Sequence, residues 1–186
     1  MAGAYSEVRK AIRRAVIQSL IEYFPTKDEQ DELLFFSHTG GTEPSKPFVV
    51  INILGIEQQG HTQTASTTNE QFELIHQVAY EVNVQFTFCG STAGDMAQSF
   101  TQRVNNSVLS FDATRKERLG VLRKSNIRRT PQKRETQWVE YFNQDVVFSY
   151  IIRTTQAVDW MESVILENQI IDPSETFTVP PGIPIP

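Results

Sequence analysis

The chain of 186 residues has a single cysteine, Cys89, which excludes an internal disulfide framework and a thiol-rich metal site. Cys89 stands at the end of an apolar run, where a small buried thiol is expected. Its three histidines, His38, His61 and His76, are few and scattered. None has another histidine or a carboxylate at a recognised ligand spacing. No apolar run approaches the roughly 20 residues of a membrane span. The N-terminus is basic, but it has neither the apolar stretch nor the small-residue cleavage site of a signal peptide. A cytoplasmic origin away from membranes is therefore expected. Positive charge is in deficit too: the formal net charge is −5, against the basic balance usual in nucleic-acid-binding domains. Catalytic signatures are missing. There is no G-x-S-x-G and no nucleophile beside a base, and Gly40-Gly41 lies in no phosphate-loop pattern. Asp159 and Glu162, beside Trp160, are a pair common on any surface. A hydrolase would have to rest on His76 or Asp159 alone, so no catalytic residue, cofactor or metal is assigned.

What the chain does have is a long alternation from Phe72 to Gly90. Phe72, Leu74, His76, Val78, Tyr80, Val82, Val84, Phe86 and Phe88 fall on one face. Glu73, Gln77, Glu81, Asn83, Gln85 and Thr87 fall on the other, with Ile75 and Ala79 as exceptions. Period two predicts a strand, much longer than the usual 5 or 6 residues or so. Phe48 to Ile56 is apolar on both faces, as in a central strand, and Glu57 to Asn69 is polar. Together these predict an extended β-hairpin whose tip, about residues 54–78, projects beyond the core. A tip with few apolar contacts of its own is either mobile or held by another molecule. Phe72, Leu74 and His76 are thus candidate subunit-interface residues, with Tyr80 to Phe88 carrying the core.

Helical spacing of Val8, Ala11, Ile12, Ala15, Val16, Leu20 and Phe24 predicts a helix capped by Ser6 and closed by Pro25. Arg9, Lys10, Arg13 and Arg14 form its solvated side. Residues 26–47 open acidic and read as a loop containing a short apolar segment, Leu33–Phe36. After Gly90, Ser91 or Thr92 caps a second helix that ends near Ser110, with Asp95 at its positive end. Asp112 to Leu119 reads as a short helix, and Val121 to Arg129 as an edge strand. Trp138 to Arg153 reads as a central strand, while Ala157 to Leu166 fits either a helix or a strand. One domain over residues 1–171 is expected. Pro173, Pro180, Pro181, Pro184 and Pro186 then dictate an extended tail over 172–186. Ile183 and Ile185 would serve an arm lying on a neighbour, and a frayed end is the alternative.

Nine of the seventeen basic residues lie between 115 and 134: Arg115, Lys116, Arg118, Arg123, Lys124, Arg128, Arg129, Lys133 and Arg134. Basic residues guard an exposed strand edge, but nine exceed that need, so a partner-binding patch is an equal reading. Its partner would be phosphate backbone or an acidic protein surface.

The pieces Pro47–Ile53, Tyr80–Gly90, Ala93–Leu109, Leu119–Leu122 and Trp138–Tyr150, in that order, resemble the tail terminator, neck or tail-completion proteins of tailed bacteriophages. The resemblance covers most of residues 5–155. It implies an α+β subunit, a mostly antiparallel sheet with helices packed on it. It also implies a structural virion protein at the tail–neck junction, assembled in the host cytoplasm and without catalysis. Such subunits form a ring, usually hexameric, that caps the tail tube and joins it to the head-side connector. The implied partners are further copies of the chain, the tail tube protein, the sheath protein and the connector, with genomic DNA passing through the ring. The alternative, read from residues 115–134, is a nucleic-acid-binding or other head–tail connector module.

Overall fold

The structure is a computed structural model, and it describes residues 4–37, 44–45, 47–65, 73–105, 117–134, 137–157, 164–166 and 169–171. Helix α1 (Ala4–Ser19) buries Val8, Ala11, Ile12, Ala15 and Val16, the stripe set by their spacing. Ser6 lies inside it rather than capping it. The helix ends five residues before Phe24: the Ser19 hydroxyl donates back to the Ala15 carbonyl at 2.8 Å, and the turn to Phe24 closes on Leu20. Bonding of a serine to its own preceding turn weakens helix continuation.

Residues 26–36 are not the expected loop. Thr26 caps α2 (Lys27–Leu33) through a reciprocal box: its hydroxyl accepts from the Glu29 N–H, and the Glu29 carboxylate accepts from the Thr26 N–H. The Thr-x-x-Glu spacing that makes this box is legible in the chain. Strand β1 (Leu34–Phe36) follows without a break. Replacing Thr26 with alanine should cost about 1 kcal/mol, read as a lower urea midpoint at unchanged slope. An unchanged midpoint would mean that the burial of Leu33 alone holds α2.

β2 (Phe48–Ala65) and β3 (Glu73–Cys89) form the long antiparallel pair that the alternation predicts. Its register shifts at Ile53/Gly55 and again at Gln59/Gln63. α3 (Ala93–Asn105) comes next, and residues 106–110 of the expected helix lie outside the described residues. β4 (Leu119–Lys124) and β5 (Arg128–Arg129) divide the expected edge strand, and Leu119 begins a strand rather than ending a helix. β6 (Gln132–Arg134) and β7 (Gln137–Val139) pair as a small separate hairpin. Glu140 then interrupts the run before β8 (Tyr141–Ala157), so Trp138 belongs to the small hairpin and not to the central strand. β9 (Val164–Leu166) and β10 (Gln169–Ile171) pair with each other.

The main sheet runs β1-β2-β3-β8-β4, with β5 also on β8, and only the β1–β2 pair is parallel. β3 lies between β2 and β8, and its pairing with β8 continues from Glu73↔Ala157 to Cys89↔Tyr141. Helices α1 and α3 cover one face. There Val82, Val84, Phe86 and Phe88 of β3 meet Met96, Ala97 and Phe100 of α3, with Ile51, Val146 and Phe148 alongside. Phe86 stacks tilted on Phe100, with ring centres 4.6 Å apart, and meets Phe148 edge-on at 6.2 Å. The protein is α+β, with its helices on one face of a mostly antiparallel sheet.

Candidate interaction surfaces

The other face of the sheet is polar, because positions out of phase with the core carry amides, hydroxyls and charges. Cross-strand partners bond directly. Gln85 donates to the Asp145 carboxylate at 3.1 Å, the Thr87 hydroxyl to the Asn143 side-chain oxygen at 2.7 Å, and Asn143 to Thr130 at 2.8 Å. Directly opposed pairs are the unit of sheet stabilisation. This face is knitted together along its length.

Three of the nine basic residues between 115 and 134 have carboxylate partners. Arg123 meets Glu81 at 2.6 Å, Arg128 meets Asp145, and Arg129 meets Glu140. The Lys124 ammonium donates to the Thr101 carbonyl at 3.3 Å, across to α3. Arg118 is exposed at a positive φ of 58° just before β4. Lys133 is exposed on β6, Arg134 ends that strand, and Arg115 and Lys116 lie outside the described residues. The described part of the patch is thus divided between the β4–β5 edge and the β6–β7 hairpin, with three of its arginines opposed by carboxylates. Glu117 is the one acidic residue between 115 and 134, and Glu81, Glu140 and Asp145 come from elsewhere in the chain. Glu117 itself pairs with Arg14 of α1, at 3.1 Å.

Leu74 and His76 sit in β3, paired with Gln156 and Thr154 of β8, and His76 also with Thr64 of β2. His76, Val78 and Tyr80 are half-buried, whereas Val82, Val84, Phe86 and Phe88 are fully buried. Full burial therefore ends along β3 between Val82 and Tyr80. Leu54, 59% exposed, bulges from β2 between the Ile53↔Val84 and Gly55↔Asn83 pairs. The ribbon has a third strand that the sequence reading missed. β8 continues beyond Arg153 to Ala157 through Thr154, Thr155 and Gln156, polar residues that hide a strand from an apolar pattern. Phe72, Ile183, Ile185, Asp159 and Glu162 lie outside the described residues.

Two interior polar groups have structural roles. Gln144, 1% exposed, accepts from the Thr101 hydroxyl at 2.7 Å and donates to the Ser125 carbonyl at 3.2 Å, tying α3 and the β4–β5 link to β8. Cys89 is fully buried, and burial pushes its thiol up from 9.0 to about 12. Tyr150 is raised as well, by burial first and then by Glu7. The folded state keeps the Cys89 thiol neutral, while the unfolded chain ionises it near pH 9. Stability should therefore be fully present below about pH 9 and fall as pH rises from there towards 12. Melting curves from pH 7 to 10.5 should show a steeper alkaline decline in the native protein than in Cys89→Ala, and equal slopes would contradict the burial assignment. Among the described residues, no group of three or more His, Cys, Asp or Glu could hold a metal ion. No described helix is long and apolar enough to cross a membrane.

Compared with known families, residues 6–174 match the family described as phage neck terminator protein. No curated protein matches the chain.

Proposed function

Because the chain belongs to the phage neck terminator protein family, we propose that it is a structural virion protein that forms a ring, a hexamer by preference, capping the finished tail tube and joining it to the head-side connector. The matched span runs from the start of α1 to beyond β10, and this coverage carries the reading. It agrees with the resemblance drawn from the strand and helix pieces. A structural place in the phage neck follows from the family, and the subunit has no assigned catalytic role.

A closed ring requires each subunit to present two different, complementary surfaces. The three-stranded ribbon of β2, β3 and β8 offers one, through Leu74, His76 and the adjoining Phe72. The proline-rich arm with Ile183 and Ile185 offers another. The domain then comprises residues 1–171, with the ribbon about 54–78 projecting and the arm 172–186 extending from it. Tail tube, sheath and connector proteins are the partners, and DNA passes through the ring. Phosphate binding by residues 115–134 has less support, since Arg123, Arg128 and Arg129 are already opposed by carboxylates.

Light scattering and electron microscopy of the purified chain, alone and with tail tubes, test the reading. Rings in either sample are the expected result, and a monomer in both overturns it. Removing Pro180–Pro186 should weaken the ring while the monomer stays folded.

A further inference from the structure

The described surface carries exposed acidic and basic side chains at separate places. At the β1 edge, α2 presents Asp28 and Glu32, four residues apart and so on one face of the helix. Both are exposed, and neither has a partner among the described residues, whereas Asp31 holds Arg13 at 2.6 Å and Glu29 serves the cap. Ile21 and Pro25, exposed on the turn leading into α2, supply apolar surface beside them.

The β6–β7 hairpin is a separate two-stranded sheet that stands between β5 and β8 in the chain. Lys133 and Trp138 are direct cross-strand partners there, so their side chains lie on the same face. Trp138 is 69% exposed, the most exposed large apolar side chain among the described residues. An exposed tryptophan beside a lysine has the composition of an interface anchor with a charged rim.

Register adds a geometric fact. β1 pairs with Val49–Ile51, these with Phe88–Phe86, these with Phe142–Gln144, and Phe142 and Asn143 with β5. β1 and β5 therefore lie at the same level along the strands, four inter-strand steps or roughly 19 Å apart. A heterologous contact between two different surfaces of successive copies forms a ring when its rotation closes.

We propose that the Lys133–Trp138 hairpin of one copy docks on the Asp28–Glu32 face of α2 in the next copy, with Trp138 against Ile21 and Pro25. This rests on the ring reading above and names its subunit contact.

The test uses full-length chains carrying Lys133→Glu, or Asp28→Lys with Glu32→Lys, each checked for a native melting curve. All the altered side chains are exposed. Either variant alone should associate at least tenfold more weakly than the native chain. A one-to-one mixture should regain assembly, because alternating copies restore opposite charge at every contact in an even-numbered ring. Trp138→Ala should weaken association by a similar factor, and in its case high salt should not rescue it. If both charge variants assemble like the native chain, the contact lies elsewhere and the ring reading stands. If the native chain never assembles, alone or on tail tubes, both fall. If Lys133→Glu assembles normally but loses duplex DNA retention at low salt, the hairpin's partner is nucleic acid and the proposal is overturned.

Discussion

Phe86→Ala is expected to lower the stability of the fold by about 3–5 kcal/mol, a large part of the roughly 5–15 kcal/mol that a domain holds in total. Phe86 is fully buried midway along the core face of β3, in register with Ile51 of β2 and Gln144 of β8. Its ring contacts Phe100 of α3 and Phe148 of β8, so truncation removes contacts to both layers. The neighbours are fixed by three strands and a helix and cannot collapse into the space, which is the condition under which cavities cost most. Urea titration of the purified variant measures the loss. A cost below about 1 kcal/mol would show that the core is not organised around this ring. Phe86→Leu, which keeps most of the volume, should cost visibly less.

Gly90→Ala is the second large effect, at about 2–4 kcal/mol, combining backbone strain with a steric conflict. Gly90 ends β3 at a φ of 104°, a conformation that L side chains rarely adopt. A Cβ there would come within 2.9 Å of the Pro47 Cα, which is backbone and cannot rotate away. The residue is also held in place, since its N–H donates to the Glu140 carbonyl at 3.2 Å. Gly60 is the matched control. It too has a positive φ, 67°, but a Cβ there meets nothing within 4 Å. Gly60→Ala should therefore show only the strain, about 1–2 kcal/mol. Equal losses at the two sites would mean that contact with Pro47 contributes nothing.

The elements that were legible in the sequence are those whose periodicity is set by one buried face. The alternation of β3 and the stripes of α1 and α3 declare themselves because water is on one side and the core on the other. β8 declares itself as an apolar run through Ile152, and its end is hidden because Thr154, Thr155 and Gln156 are polar. α2 was missed although Thr26 and Glu29 stand at capping-box spacing, since a seven-residue acidic helix has almost no apolar stripe. The basic run was visible as composition, but its meaning depended on Glu81, Glu140 and Asp145, which the fold brings to it from other strands. Pairing across a sheet is not written in local spacing, and that is why Trp138, which pairs with Lys133 in the small hairpin, read as the start of a longer strand.

The unbroken pairing of β3 with β8 has a mechanical consequence. Ladder hydrogen bonds lie perpendicular to the strands, and this ladder follows 17 residues of each strand without a register shift, roughly 55 Å at the rise of a β-strand. A pull along the ribbon axis would strain all of those bonds together in shear, whereas a pull across the strands would open them one at a time from the end. The ribbon is thus stiff to axial tension and comparatively weak to peeling. The strand direction of β3 and β8 is thus the one along which the sheet best resists being pulled apart.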